Sequence, residues 1–222
     1  SICFISESMV LESPFNGQPS EKWVSITKNL LDNYPIGMNE LAGICLASWE
    51  DIFHSGIGPE SFRIGKDLFP RPQVMGFFLH ELILLKLHTK YPDLWIKDNE
   101  VAEKDVVYLP DSRYSMEIKT SSSPDKIFGN RSYAQEAETS KKDKSGYYLA
   151  INFDKFPKRP DFNVLHPQIK LIRFGWLDHK DWIGQAAATG QQARLDKMTE
   201  TSKLMPIYDV TKTKNSLLSE FI

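Results

Sequence analysis

The sequence predicts an α/β fold: a central mixed β-sheet flanked by helices. Three observations carry this. Apolar residues recur at helical spacing through the first part of the chain, and apolar strand-like runs fill the second part. Pro, Gly and Asn clusters separate the segments. A length of 222 residues favours one domain, 1–222, with 1–20 and 200–222 as peripheral arms or tails.

The elements follow in order. Pro19-Ser20-Glu21 opens a helix carrying Trp23, Ile26, Leu30 and Leu31, which Pro35 and Gly37 end. Asn39 can cap a second helix carrying Leu41, Ile44, Cys45, Ala47, Trp49 and Phe53. A loop or short strand spans Phe62 to Pro72. The clearest helix runs from Val74 to about Lys90, before Tyr91-Pro92. Two strands, Asp105 to Leu109 and Tyr114 to Thr120, flank a turn at Pro110-Asp111-Ser112-Arg113. Gly146 to Phe153 and Gln168 to Leu177 read as further strands. Trp182 to Arg194 is small and polar, and the tail from Thr199 is polar and mixed.

Composition sets limits. Hydrophobic residues make up 41% and charged residues 25%, as in ordinary globular proteins. The net charge of -2 rules out a global basic field, though a local basic cleft suffices for nucleic acid. Cys3 and Cys45 lack metal spacing and read as reduced thiols. The most apolar run, Val74 to Leu87, is interrupted by His80, Glu81 and Lys86 and cannot span a bilayer. No secretory leader pattern is visible, so a cytoplasmic location is expected.

The chemistry concentrates at Glu117-Ile118-Lys119. On a strand, Glu117 and Lys119 share one face and Ile118 the other. Alone, this pair is compatible with a solvated strand face. Three neighbours add to it: Asp105 one hairpin arm upstream, the hydroxyl run Thr120 to Ser123, and Glu81 inside the apolar helix. Glu81 falls on the wheel among Val74, Phe77, Leu84 and Leu85. A carboxylate on an apolar face needs a partner, either a cation side chain or a metal-held water. His80-Glu81 lacks a second histidine at position 84, which excludes H-E-x-x-H; His80 and His88 read as half-buried helix residues.

Asp111 precedes Glu117 too closely and suits the turn itself. Asp105 lies a full arm away. If Leu109 paired with Tyr114, Asp105 would face with Ile118. Opposing Asp105 to Glu117 requires an odd loop, a bulge or diverging strands.

With Glu81 on a helix, Asp105 on a strand and Glu117-Ile118-Lys119 on the next, the chain resembles the PD-(D/E)xK nuclease superfamily. More specifically it resembles the ScaI-type family of type II restriction endonucleases. The matching blocks are Trp49-Glu-Asp-Ile-Phe53, Gly76-Phe-Phe-Leu-His-Glu81, Glu117-Ile-Lys-Thr-Ser121, Phe128-Gly-Asn-Arg-Ser-Tyr-Ala-Gln135, Ser145-Gly-Tyr-Tyr-Leu-Ala150, Arg173-Phe-Gly-Trp-Leu-Asp178 and Trp182-Ile-Gly-Gln185. They span roughly residues 20 to 205. Lys104 stands where the motif has Pro.

The resemblance implies a restriction-endonuclease-like core and a homodimer that cuts a short palindrome in double-stranded DNA with Mg²⁺. Asp105, Glu117 and the Ile118 main-chain carbonyl would hold the ion. Lys119 would orient the attacking water, and Glu81 would hold a second ion or an ordered water. The products would be a 5′-phosphate and a 3′-hydroxyl. Two segments could read DNA. One holds Lys126, Asn130, Arg131, Ser132, Tyr133 and Gln135, with Ser121 offering a hydroxyl to phosphate. The other holds Gln185, Gln191, Gln192 and Arg194. Lys141, Lys142 and Lys144 suit phosphates or water. Trp176 and Trp182 suit the core or an interface. Rival readings are a repair or recombination nuclease with the same catalytic set, and a non-catalytic DNA-binding module. No G-x-S-x-G, Walker A loop or complete G-x-G-x-x-G is present.

Overall fold

A computed structural model of the chain describes residues 11–97, 104–134, 143–158, 166–187 and 189–212. A 3₁₀ turn at Ser20–Lys22 leads into α1 (Trp23–Asp32). Helix α2 (Met38–Phe53) follows. Gly37 is its N-cap and no side chain caps it, so Asn39 lies inside the first turn instead of capping it. A short hairpin, β1 (Gly56–Ile57) with β2 (Phe62–Arg63), precedes α3 (Pro72–Lys90). Proline suits the first turn of α3 because its missing N–H has no helical partner there.

The strands are β3 (Trp95–Lys97), β4 (Val106–Tyr108), β5 (Met116–Ser121), β6 (Phe128–Asn130), β7 (Gly146–Phe153), β8 (Ile169–Leu177), β9 (Ile183–Gly184) and β10 (Gln192–Arg194). Helix α4 (Lys197–Ser202) and β11 (Leu204–Asp209) complete the described chain. Six strands form a mixed sheet in the order β11-β8-β7-β5-β4-β3, in which β5 and β7 run parallel and the other neighbours antiparallel. A second, three-stranded sheet has the order β6-β10-β9.

Several strands depart from the sequence reading: β1, β6, β9 and β10 form where breaks, loops or small polar stretches were expected, and β3 and β11 were not expected as strands. β3 is short and follows Pro92, so it shows no period. β11 was expected as part of a peripheral tail. It is an edge strand, and its ladder slips between Pro206 and Tyr208. An edge tolerates a proline because one side of the strand has no ladder to donate to.

The sheet has an apolar layer on each face. On one face Met116, Ile118, Leu149, Ile151, Ile172, Phe174 and Trp176 pack against α1, α2 and α3. The larger of these side chains contribute roughly 1.5–3 kcal/mol each when fully buried. On the other face Tyr148, Ala150, Leu177 and Leu204 meet Ile127, Tyr133, Trp182, Ala193 and Leu195 from the small-sheet region. Trp176 and Trp182 are both buried, as expected of anchors.

Helix α3 corrects one expectation. Its buried side is Met75, Gly76, Leu79, Ile83, Leu84 and Leu87. Val74, Phe77 and Leu85, expected around Glu81 as core, are exposed; Phe77 retains 61% and Leu85 58% of its accessible surface. Gly76 lets α3 approach β5 closely. A Cβ there would stand 2.6 Å from Thr120 Oγ1.

Candidate active site

Strand β5 fixes the central pair. Glu117 and Lys119 share one face, with Lys119 Nζ 4.0 Å from Glu117 Oε1. Ile118 is buried on the opposite face. Asp105 arrives from the end of β4. The single ladder pair between β4 and β5 is Val106 with Met116, a register that sets Asp105 opposite Glu117. Nine residues, 107–115, separate the paired Val106 and Met116, so the connection is odd. The odd loop and diverging strands expected for Asp105 are both present. Asp111 serves the turn: its Oδ1 accepts the Arg113 N–H at 3.0 Å.

Because β4 leaves the ladder, the Ile118 N–H loses a strand partner. Asp105 Oδ2 replaces it at 2.8 Å. A strand residue directs its N–H and C=O to the same edge, so the Ile118 carbonyl also faces the gap that β4 leaves. Two carboxylates and a carbonyl therefore border one place.

Helix α3 closes the site. His80 Nε2 lies 3.3 Å from Asp105 Oδ2, and His80 Nδ1 lies 3.7 Å from Glu81 Oε1. Burial opposes protonation of His80. The Asp105 hydrogen bond and the charges of Asp105, Glu81 and Glu117 outweigh it and raise its pKa. Burial likewise pushes the Asp105 carboxyl upward. His80, the Ile118 N–H and Lys119 overcome that and hold it below the usual carboxylate range. Glu81 has the partner its position demanded: Lys97 Nζ, from β3, at 2.9 Å. His88 holds β3 against α3 through Nδ1 and the Trp95 carbonyl, 2.8 Å apart.

The small-sheet region supplies the other wall. Tyr133 donates its hydroxyl to Glu117 Oε1 at 2.8 Å. Its ring has Lys119 Nζ 4.2 Å and Lys144 Nζ 4.5 Å from its centre. Tyr133 was expected to read bases, but it is 3% exposed and lies within the carboxylate site. Lys144 was expected at the surface and is also buried, under the same ring.

Oxygen donors of this kind suit a hard divalent cation. Among the described residues no group of three or more His, Cys, Asp and Glu side chains is arranged to hold a metal ion. Mg²⁺ does not require one, since it binds through one or two carboxylates and keeps several waters.

A profile of the ScaI restriction endonuclease family matches residues 13–208. The chain is also 46% identical, over 198 residues, to the type II restriction enzyme ScaI of Streptomyces caespitosus; the match covers 89% of this chain and 85% of that protein. The chain belongs to the ScaI restriction endonuclease family.

In this ScaI-family chain the two segments considered for DNA contact converge. β6 pairs with β10, setting Asn130 opposite Gln192 and Phe128 opposite Arg194. β10 also pairs with β9. Asn130, Gln185, Gln191, Gln192 and Arg194 are exposed around one small sheet, with Ser132 half-buried beside Asn130. Arg131 opens the 3₁₀ turn Arg131–Ala134 that continues β6. Gln135, Lys141 and Lys142 lie outside the described residues.

The loop after β5 is tied to the main sheet. Asn152 donates to the Ser123 and Lys126 carbonyls at 2.9 and 3.0 Å. Buried Arg173 reaches Asn152 Oδ1 at 3.2 Å, the Asp125 carbonyl, and Glu200 at 3.5 Å. This network steadies half-buried Ser121 and exposed Lys126. Beside it opens a cleft of about 600 Å³, lined by Gln73, Ser121, Ser122, Lys155 and Gln192 among others.

Sequence reasoning missed His80, Lys97 and the inward turn of Tyr133. Only His80 had a signal, its place next to Glu81, and the absent second histidine diverted attention from it. Cys45 is a buried thiol, and Cys3 lies outside the described residues. Among the described residues no helix is long and apolar enough to cross a membrane.

Proposed function

We propose that this chain is a Mg²⁺-dependent type II restriction endonuclease that acts as a homodimer on a short palindrome in double-stranded DNA. The observation that carries the reading is Asp105 set opposite Glu117 with Lys119 two residues further along β5. Membership of the ScaI family supports the activity class.

In this reading Asp105, Glu117 and the Ile118 carbonyl would hold Mg²⁺, which when bound would supply charge neutralisation at the scissile phosphate and a lowered pKa for a water. The Ile118 N–H and His80 fix Asp105, and the Tyr133 hydroxyl fixes Glu117. Lys119 directs its ammonium toward the same place, where it orients the water and offsets charge that develops on the phosphoryl oxygens. The water oxygen bonds to phosphorus as the bond to the 3′ oxygen breaks; the water gives up a proton to solvent and the departing oxygen takes one from solvent, leaving a 5′-phosphate and a 3′-hydroxyl. Glu81, ion-paired with Lys97, adds a third carboxylate at the rim. There it could engage a second ion or an ordered water.

Asn130, Arg131, Ser132, Gln185, Gln191, Gln192 and Arg194 are assigned to the DNA groove. Arg pairs with guanine and Asn or Gln with adenine through bidentate hydrogen bonds. Ser121 and Lys126 are assigned to phosphates. The dimer is supported by the apolar stripe Val74, Phe77 and Leu85 on α3, which a second copy could cover. A two-fold protein matches a palindromic site because each subunit meets one half.

The test is digestion of a DNA of known sequence with and without Mg²⁺, followed by mapping of the ends. Discrete cuts at one palindrome, seen only with the ion, are expected. Random degradation, or no cleavage at any concentration of ion, would refute the reading.

A further inference from the structure

We infer that Tyr133 is a positioning residue that couples DNA seating on the small sheet to Glu117 and Lys119. The inference rests on the endonuclease reading above and adds the link between recognition and cleavage.

The geometry is specific. One side chain touches both members of the central pair: its hydroxyl bonds Glu117 Oε1 and its ring lies under the Lys119 ammonium. Trp182, one residue before β9, packs edge-on against the same ring with centroids 5.0 Å apart. Tyr133 thus sits between the main sheet and the small one.

Its backbone belongs to the small-sheet side. The turn Arg131–Ala134 begins where β6 ends, so Tyr133 lies three residues beyond Asn130. Its ring folds back over its own strand, which requires the glycine at 129. A Cβ there would stand 2.6 Å from the Tyr133 ring. Movement of β6 therefore carries the ring with it. β6 is laddered to β10, which bears Gln192 and Arg194. Exposed Gln192 and Arg194 and the buried phenol are then joined through one short backbone ladder.

The phenol is a suitable transmitter. Its hydroxyl donates to Glu117 Oε1 at 2.8 Å, and a phenol carries that proton at neutral pH. A hydrogen bond weakens steeply with misalignment. Displacement of a reacting group by about 1 Å can cost on the order of 10²-fold in rate. A wrong base that tilts the small sheet therefore loosens Glu117 and shifts Lys119, even where the DNA still binds.

The experiment compares wild type with Tyr133→Phe, which keeps the ring and removes the hydroxyl. Duplexes carry the wild-type recognition site or single-base variants of it. Affinity is measured without divalent ion, single-turnover cleavage with Mg²⁺, and folding by thermal melting. Tyr133→Phe should cleave its site about 10- to 100-fold more slowly, as loss of a group orienting a metal ligand generally does. Affinity should stay within about twofold, and the rate ratio between the true site and its variants should narrow. Wild-type cleavage by Tyr133→Phe, an unchanged ratio, or a loss that tracks affinity or the folded fraction would each overturn the inference. Failure of wild type itself to cut any duplex would instead refute the endonuclease reading.

Discussion

Asp105 and Ile118 are joined by a hydrogen bond from the Ile118 N–H to Asp105 Oδ2, 2.8 Å long, at the point where β4 leaves the ladder. His80 Nε2 stands 3.3 Å from the same oxygen. The carboxylate is therefore oriented from two sides through one atom, and among the described residues Oδ1 is not used by either contact. Replacing His80 with Asn should slow cleavage by about 10- to 100-fold, the usual cost of removing a group that orients a metal ligand. DNA affinity measured without metal should not change. Steady-state kinetics with a parallel binding titration checks this, and unchanged kcat would reject the role.

Lys119→Ala should abolish cleavage and leave specific binding intact. The side chain lies over Tyr133 beside Glu117, so its loss removes a charge from the site without removing an apolar anchor. A nicking assay on supercoiled DNA is the measurement, with a gel-shift control. Full nicking activity would sink the proposed mechanism.

Arg131→Ala and Arg194→Ala test the small sheet as a reader. A bidentate arginine-guanine pair contributes about 1–3 kcal/mol of discrimination. A reader should lose discrimination at one base position. A phosphate contact should weaken binding to all sequences and reduce its salt dependence by about one unit of slope. Cleavage and binding profiles across single-base variants separate the two. An unchanged profile and affinity would remove that arginine from the interface.

Lys203 is 1% exposed, with Nζ 3.0 Å from Asp178 and 2.8 Å from Asp181, and it covers the rings of Phe15 and Trp23. Burial raises the Asp181 pKa, and Lys203 is the chief opposing influence. Lys203→Ala leaves two buried carboxylates without their cation. Removing one partner of a buried pair costs about 3–5 kcal/mol. Urea unfolding should show a loss of unfolding free energy of that size; a loss smaller than about 1 kcal/mol would contradict the assigned pairing.

Glu40 joins α2 to α3 by accepting from Lys90 and from the Tyr91 hydroxyl. The Lys90 hydrogen bond, then that of Tyr91, lowers its pKa against a weaker effect of burial. A lowered carboxyl pKa stabilises the fold above the unfolded value, about 4.3, and that stability is lost as pH falls through the folded pKa. Glu40→Gln should therefore melt slightly below wild type at neutral pH, and the difference should close in acid. Melting curves from pH 7 to pH 3 test the sign. A gap that widens in acid would contradict it.

The local part of the site was legible from the sequence. Strand alternation alone places Glu117 and Lys119 on one face and Ile118 on the other. Asp105 was preferred to Asp111 because it lies a full hairpin arm from Glu117 while Asp111 suits the turn; that choice required an odd loop, a bulge or diverging strands, and the observed register agrees. The wheel of α3 misled, because an apolar stripe was equated with a buried one. Val74, Phe77 and Leu85 are apolar and exposed, and Glu81 lies among them, half-buried, with Lys97 as partner.

What the sequence determined by itself is what neighbours along the chain decide: the helix from Val74 to about Lys90, the buried strands β7 and β8, and the Glu117-x-Lys119 face. Only the tertiary structure decided that His80 meets Asp105, that Lys97 satisfies Glu81, and that β6 pairs with β10 to turn Tyr133 inward. Each of these joins residues far apart or in different elements. Their geometry depends on how elements pack, not on periodicity within one. The cost of leaving a buried carboxylate unpartnered can say that a partner must exist; only the fold selects which side chain arrives.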